Sequence, residues 1–333
     1  MMHSAAAAPG GRTLVTKQWS WVAPVIAAMA MGAAGTAHAA QLSTDARGAI
    51  PRDVQQLVVV DYRAMQNSSA AMALRDRVMP PDLKQFDEAL RKSGLNENHD
   101  VDQLAFAMFR PNSKSDDVVT LGVAQGQFPI EDIMANFKKR GIKPKVVRTN
   151  KIFPMAKTGM VLCFVDPSTM VFGGEDAVKA ALDARDGSSG SLLTNATMMD
   201  AMRSVDSEDL WSILDQKGTQ TMMKQILGQA GSIADFESVQ KRLLLSWYSM
   251  DFQHGVSFNL TLTTGDAFAA ATVGSLLNAA MAYRKMTGDS TEKMAMSDTD
   301  VNASYGKLTV HFASSDSDFS SLLKSPLFQS VVQ

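Results

Sequence analysis

The fold is decided by two short apolar stretches that lie far apart in the chain. The first is Leu57-Val58-Val59-Val60-Asp61-Tyr62, and the second is Asp209-Leu210-Trp211-Ser212-Ile213-Leu214-Asp215. Short runs rich in valine and isoleucine predict buried β-strands. Each run is flanked by acidic residues and is followed by helical patterns, so we predict that each begins one of two similar α+β units.

Helical and strand patterns alternate after the first stretch. Helices are predicted over residues 69–78 and 82–93, strands over 104–109 and 118–124, and a further helix from Pro129. That helix has Glu131 and Asp132 in its first turn and basic residues in its last turn, an order that complements the helix dipole. Strands over 145–148, 160–165 and 170–172 and a helix over 175–184 complete the first unit.

The second stretch is followed by a similar order of elements. A helical pattern covers residues 222–227, Ser232 and Asp235 have the spacing of a capping box, and strands are predicted over 243–252 and 256–262. A long helix over 266–285 comes next. A hairpin through Gly306-Lys307 and a short helix at Phe319 end the unit. The apolar residues of the long helix that we predict to face inward are Phe268, Leu276, Leu277, Ala280 and Met281.

The matching order predicts an internal duplication, with unit one over residues 48–187 and unit two over 191–330. Residues 186–191 are small and predict a flexible linker. Several links are too short for parallel crossovers, which favours antiparallel pairing. We therefore predict an α+β fold of two units packed side by side, each a mainly antiparallel sheet with helices on one face.

A short run near the end of unit one carries a resemblance to a known group of proteins. It is Gly173-Gly174-Glu175-Asp176-Ala177-Val178-Lys179-Ala180-Ala181-Leu182, followed by Ser191-Leu192-Leu193. The run resembles a stretch of exported bacterial proteins of unknown function that have a duplicated α+β unit. In those proteins a strand ending in glycine leads into a short helix that packs back on a sheet. The resemblance implies this layout for the mature chain, and it implies no activity.

The first 39 residues have the composition of an export signal. Arg12 and Lys17 supply positive charge, no acidic residue precedes Asp45, and residues 19–34 are apolar and small. Ala37-His38-Ala39 then gives the small-x-small pattern that precedes cleavage, which places the cut before Ala40. An uncleaved membrane anchor is the alternative, since residues 19–40 are nearly long enough to span a bilayer. We expect a signal peptide over residues 1–39 and a periplasmic or secreted protein.

Charge and hydropathy restrict the partners of the mature chain. Loss of Arg12 and Lys17 with the signal changes the formal net charge from −2 to −4. Over the whole chain the charge is small and its two signs are interspersed, whereas nucleic acid and anionic lipid need clustered lysine and arginine. We therefore predict that neither nucleic acid nor anionic lipid is a partner. No apolar run of spanning length follows residue 40, which predicts no transmembrane segment in the mature chain. Cys163 is the single cysteine and lies in an apolar run, so we expect a buried thiol.

The sequence contains no complete catalytic or metal-binding motif. Two S-x-x-K matches begin at Ser238 and Ser321, but the K-T-G run precedes them, which is the wrong order for penicillin-recognising enzymes. No two of the mature chain's histidines have the close spacing of a zinc site; they are His99, His254 and His311. We therefore predict no catalytic residue, no metal ligand and no cofactor, and the missing catalytic sets favour a non-enzymatic role.

One pair of positions is a candidate binding site. Asp61 with Arg63 and Asp215 with Lys217 each follow the first strand of their unit. Because ligand sites in proteins are often built at strand ends, the two pairs could line one site.

The leading hypothesis is an exported, non-enzymatic protein that binds another protein or a small ligand outside the cytoplasm, or that has a structural role in the cell envelope. One alternative is a hydrolase whose carboxylates meet only in the fold, as they do in glycosidases. The other is a periplasmic metal-binding protein, because spaced methionines bind Cu(I). The methionine pairs with suitable spacing are Met199 with Met202 and Met294 with Met296.

Overall fold

Twelve strands form one continuous sheet in the computed structural model, which describes residues 41–110, 118–155, 159–227, 236–252, 254–325 and 328. The strands are β1 Val54–Asp61, β2 Val101–Phe109, β3 Val119–Gly126, β4 Lys145–Val147, β5 Asn150–Met155, β6 Met160–Asp166, β7 Thr169–Gly174, β8 Leu210–Leu214, β9 Leu243–Asp251, β10 Val256–Thr264, β11 Thr299–Ser304 and β12 Lys307–Ser314. Their order across the sheet is β11-β12-β10-β9-β8-β1-β2-β3-β7-β6-β5-β4, and every neighbouring pair is antiparallel. The predicted α+β class with antiparallel pairing is confirmed.

The two stretches that decide the fold lie side by side at the centre of this sheet. β1 pairs with β8 in a register that places Val58 opposite Ser212 and Val59 opposite Trp211. Both strands carry apolar residues on both faces, and such strands need a neighbour on each edge and cover on each face. The chain therefore has one sheet that runs through both predicted units.

Thirteen α-helices occur within the described residues. They are α1 Thr44–Ala49, α2 Tyr62–Met65, α3 Ser69–Val78, α4 Pro81–Arg91, α5 Glu97–Asp100, α6 Ile130–Lys139, α7 Glu175–Arg185, α8 Ala196–Met202, α9 Gln216–Leu227, α10 Phe236–Gln240, α11 Ala267–Thr287, α12 Ser290–Ser297 and α13 Asp316–Leu322.

Helices cover both faces of the central strands, so the prediction of helices on one face is wrong for the first unit. Leu57 and Val59 point to a core that α1, α7 and α8 cover. Val58 points the other way, to a core formed with α3, α9 and α11. Successive strand residues face opposite sides of a sheet, so the run of valines in β1 requires two covered faces.

The small residues between the two units are held by hydrogen bonds rather than left as a free linker. The Arg52 amide donates to the Gly190 carbonyl at 2.9 Å, and the Leu192 amide donates to the Ile50 carbonyl at 2.8 Å. These bonds fix residues 190–192 against the segment that enters β1.

Six elements were not predicted, namely α1, α2, α5, α8, β5 and α12, and two predictions lie outside the described residues. β5 was missed because Pro154 lies within it; the proline is tolerated because β4 pairs only with residues 150–152. α12 was missed because its sequence is mostly polar, and its Asp289 cap accepts a hydrogen bond from the Glu292 amide at 2.8 Å. The signal with Ala37, Ala39 and Ala40, and the capping box of Ser232 and Asp235, lie outside the described residues.

Candidate functional site

The two predicted strand-end aspartates cap the helices that follow their strands. Asp61 Oδ1 accepts from the Ala64 amide at 2.8 Å, and Asp215 Oδ1 accepts from the Gly218 amide at 2.7 Å. The antiparallel pairing of β1 and β8 places Asp61 beside Asp209 and Asp215 beside Gln55. Asp61 and Asp215 are thus six residues apart along the pair, or about 20 Å, and the structure does not bring them into one site.

The basic members of the two pairs also lie at separate places. Arg63 forms an ion pair with Asp102 at the surface. Lys217 is exposed at the start of α9. Burial raises the pKa of Asp215, and the hydrogen bond from the Gly218 amide opposes that shift. In each pair, therefore, the aspartate caps the start of the helix that follows its strand.

Four carboxylates meet at one end of the central strands; they are Asp61, Glu208, Asp209 and Asp251. Burial raises the pKa of Asp209 to about 6, and the charges of the three neighbouring acids add to the shift. The pKa of Glu208 is raised as well, by burial and then by Asp251. Within the described residues no group of three or more His, Cys, Asp or Glu has a geometry that could hold a metal ion.

Replacing Asp209 by asparagine is expected to stabilise the protein at neutral pH. The fold raises this pKa from 3.8 to about 6, so protonation favours the folded state. The contribution is present below about pH 4 and is lost as the pH rises through about 6. Asp209→Asn removes the repulsion, so we expect the free energy of unfolding at pH 8 to rise by about 1–2 kcal/mol.

Urea unfolding between pH 4 and pH 8 measures this effect, with Asp76→Asn on the exposed side of α3 as the control. The Asp209→Asn variant should lose stability less steeply than the parent over this range. An unchanged pH profile in that variant would show that the four carboxylates do not interact in the folded state.

A second charged cluster joins α3, α4 and α5. Arg91 Nη2 lies 2.8 Å from Asp87 Oδ2, and Arg91 Nε donates to Glu97 Oε2 at 2.8 Å. Arg75 Nη2 lies 3.4 Å from Asp87 Oδ2 and 3.5 Å from Glu97 Oε1. The Arg75 guanidinium also lies over the ring of the buried Tyr62, 5.5 Å from its centroid. Two acids and two bases thus form one partly buried network.

The electrostatics of this network indicate that it stabilises the packing of α3, α4 and α5. Burial raises the pKa of Asp87 to about 6, and contact with Glu97 adds to the rise. Burial opposes but does not outweigh the hydrogen bonds from Arg91 and Asp87, so the pKa of Glu97 is lowered. Burial raises the pKa of Tyr62 to about 12. The carboxylates of the network are paired with guanidinium groups. The depression beside the network is shallow, has a volume of about 350 Å³ and is lined in part by Leu95 and Asn96.

The longest described helix, α11, has an uncharged outer side. We define the α11 face as Phe268, Ala271, Ser275, Ala279, Ala282 and Met286, all of which are exposed. Phe268 is 67% exposed and Met286 is 75% exposed. No charged residue occurs between Asp266 and Arg284. The prediction that Phe268 faces inward is wrong, because it lies about two turns before Ser275 and so shares its outward side.

The outer side of α6 differs from that of α11. α6 follows β3 in the first half of the sheet as α11 follows β10 in the second. The exposed side of α6 is charged and includes Glu131, Asp132, Lys138 and Lys139. The exposed side of α6 is therefore charged, whereas the α11 face is not.

An ion pair and a hairpin turn lie beside the start of α11. The Arg242 guanidinium lies 6.0 Å from the centroid of the Phe268 ring and 2.8 Å from Asp266 Oδ2. The β11–β12 turn is held close by, since Thr264 Oγ1 donates to the Gly306 carbonyl at 2.9 Å. The turn is Tyr305-Gly306, one residue earlier than predicted, and both residues have a left-handed φ. Tyr305 is 99% exposed.

The remaining predicted residues take ordinary places. Cys163 is buried as predicted, and burial raises the pKa of its thiol to about 11. His99, His254 and His311 are all exposed. Met202 is 3% exposed in a core cluster, with Met199 packed against it, whereas Met294 is exposed. None of the described helices combines the length and apolar character needed to cross a bilayer.

Comparison with known proteins defines the fold class and no activity. No protein-family model matches this sequence, and no curated protein matches it with significance. Among solved structures, the chain is similar to TP0453 in crystal forms I, III and IV. Identities are 10%, 9% and 9%, TM-scores are 0.49, 0.51 and 0.47, and 87%, 85% and 84% of this chain aligns with 98%, 99% and 96% of TP0453. The likeness to form III indicates a shared α+β fold with a large antiparallel sheet.

Proposed function

We propose that this chain is an exported, non-enzymatic binding protein of the cell envelope and that it binds its partner through the α11 face. The observation that carries the proposal is the exposure of Phe268 and Met286 on a helix side without charge. Exposed apolar patches on soluble proteins commonly mark sites of association. Since α6 has a charged outer side at the corresponding place, the apolar side of α11 is better explained by binding than by folding.

The sequence supports export, with a cleavable signal over residues 1–39 and a periplasmic or secreted mature protein. Strand order supports an origin by duplication. Outward from the central pair, the first half runs β1-β2-β3-β7-β6, with β5 and β4 beyond it, and the second half runs β8-β9-β10-β12-β11. The pairs β7-β6 and β12-β11 are thus reversed in the same way. We propose that the halves are copies and that their long helices diverged, α6 remaining charged and α11 becoming a binding helix.

The placement of the acidic residues supports a non-enzymatic role. Asp61 and Asp215 accept hydrogen bonds from helix amides, and Asp87 and Glu97 contact guanidinium groups. A hydrolytic pair needs one carboxyl group free to move a proton in a cleft that holds substrate. The two described depressions, of about 350 and 440 Å³, are shallow surface features.

Photo-cross-linking in living cells tests the proposed site. A photoreactive amino acid in place of Ser275, in the middle of the α11 face, should give a defined cross-linked product. The same amino acid in place of Lys138, on the exposed side of α6, is the matched control and should give none. A reporter fused after residue 45 should be exported in the same cells.

Two results would contradict the proposal. One is a reporter that stays in the cytoplasm, which would remove the exported role. The other is a product at position 275 no stronger than that at position 138, which would leave the α11 face without a partner.

A further inference from the structure

We propose that the end of the sheet formed by β4 and β5 is a docking surface for an anionic lipid bilayer. We define the basic edge as Lys139, Lys143, Val146 and Lys151, which belong to the last residue of α6, the loop after it and the β4–β5 hairpin. This surface is separate from the α11 face and takes a different kind of partner. It is indicated by a local excess of positive charge, by the contacts that hold the hairpin, and by the exposed valine between the lysines.

The chain has a strongly basic segment that its net charge conceals. Residues 138–151 contain seven lysine and arginine residues and no aspartate or glutamate. The whole chain has 32 basic and 34 acidic residues, so its formal net charge is only −2. The expectation that anionic lipid is not a partner rests on the whole-chain balance and does not take this segment into account. A local excess of this kind attracts an anionic partner.

Contacts on two sides hold the β4–β5 hairpin to the rest of the fold. On the side of α7, Lys145 and Arg148 form ion pairs with acidic residues of that helix. On the side of α6, the ring centroid of Phe153 lies 5.0 Å from that of Phe137. The hairpin therefore fixes the place of the remaining lysines relative to the sheet.

Four lysines of the basic segment remain for a partner outside the fold. Arg140 is engaged, because its Nη1 donates to the Ala89 carbonyl at 3.2 Å. Among the described acidic residues, none forms an ion pair with the exposed lysines Lys138, Lys139, Lys143 and Lys151. A lysine is a compact charge that attracts phosphate without a fixed geometry, so this surface is suited to many headgroups at once.

The composition of the segment favours a bilayer over a nucleic acid. No phenylalanine, tyrosine or tryptophan occurs from Lys138 through Lys151, so bases would have no ring on which to stack. Val146 is 64% exposed and lies opposite Lys151 across the hairpin, so the two side chains project from the same face. An apolar side chain among lysines fits the boundary between anionic headgroups and acyl chains.

The basic edge and the α11 face lie at opposite ends of the sheet. β4 is the last strand at one edge, and β11, against which α11 packs, is the last strand at the other. Eleven strand spacings of about 4.8 Å separate the two strands, which is about 50 Å along the sheet. A chain docked on a bilayer through the basic edge therefore leaves the α11 face open to its partner.

Co-sedimentation of the exported, purified protein with lipid vesicles tests the docking surface. The protein should bind vesicles of an equal mixture of phosphatidylglycerol and phosphatidylcholine, and it should not bind vesicles of phosphatidylcholine alone. Raising the salt from about 0.1 to about 1 M should release it, because the Debye length falls from about 10 to about 3 Å.

Two triple variants with the same net charge locate the contact. Replacing the three lysines of the basic edge by glutamine should weaken binding to the mixed vesicles at least about tenfold. The control removes the same charge from exposed lysines of the second half and should leave binding unchanged. The test variant is Lys139→Gln, Lys143→Gln and Lys151→Gln, and the control is Lys224→Gln, Lys241→Gln and Lys293→Gln. Thermal melting checks that both variants fold.

Each outcome either supports or overturns the bilayer contact. Salt-sensitive binding to the mixed vesicles that only the basic-edge variant weakens supports it. Equal weakening in the two triple variants overturns it, as does a parent that binds no vesicles. Vesicle binding that Phe268→Ser abolishes and the basic-edge variant retains would place the lipid on the α11 face instead. Binding of polyphosphate or single-stranded DNA without vesicle binding would exclude the bilayer. Photo-cross-linking at position 275 reports on the proposed function independently of all these results.

Discussion

Trp211→Ala is expected to lower the free energy of unfolding by about 4 kcal/mol, the loss that follows removal of a large aromatic side chain from a packed core. Trp211 is fully buried in β8 and lies opposite Val59 across the join between the two halves. Because β1 and β8 are neighbours in one sheet, the damage should reach both halves. Guanidinium unfolding followed by far-UV circular dichroism and by fluorescence should give coincident transitions, shifted together in the variant.

Trp247→Ala is the matched control. Trp247 lies on β9 and is only partly buried, so its removal should cost roughly half as much. Two separate transitions in the parent, with Trp211→Ala moving only one of them, would contradict a sheet that is continuous across β1 and β8.

Glu97→Ala is expected to lower the free energy of unfolding by about 3 kcal/mol at pH 7, because it breaks a partly buried ion-pair network on one side. Glu97 is 7% exposed and contacts both Arg75 and Arg91. Its removal leaves two guanidiniums with one carboxylate, Asp87. Urea unfolding at fixed pH measures the change.

The control for Glu97→Ala is Glu88→Ala on the preceding helix, α4. Glu88 and Lys92 form an ion pair at 3.4 Å in which both side chains are 66% exposed. Exposed pairs of this kind contribute less than about 1 kcal/mol, so the loss should be small. Equal losses in the two variants would mean that burial adds nothing to the α3–α5 network.

The sequence was sufficient to predict the elements whose pattern is local. α3 occupies Ser69–Val78 as predicted, and the helix starting after Pro129 has the acidic first turn and basic last turn that its sequence indicates. The valine run of β1 correctly predicted a buried strand. The valine run could not show which strand lies beside β1. The pairing of β1 with β8 joins residues 150 to 158 positions apart, and no local pattern encodes that register.

The candidate site was harder to predict, for two physical reasons. Asp61 ends β1 and Asp215 follows β8, but the antiparallel pairing of these strands sends the two aspartates to opposite ends. The network of Arg75, Asp87 and Glu97 depends on how three helices pack, which the sequence does not reveal. The α11 face did have a signal, since seventeen residues without charge follow Asp266. The incorrect prediction that Phe268 faces inward left this signal unused.

The most direct test of the α11 face is its accessibility in intact cells. Ser275→Cys and Ala135→Cys chains are labelled with a maleimide, both in cells and as dilute purified protein; Cys163 stays unlabelled because it is buried with a raised thiol pKa. We predict that the Ser275→Cys chain reacts readily when dilute and several-fold more slowly in cells, while the Ala135→Cys chain reacts equally in both. Equal labelling of the two chains in cells would contradict a bound partner on the α11 face.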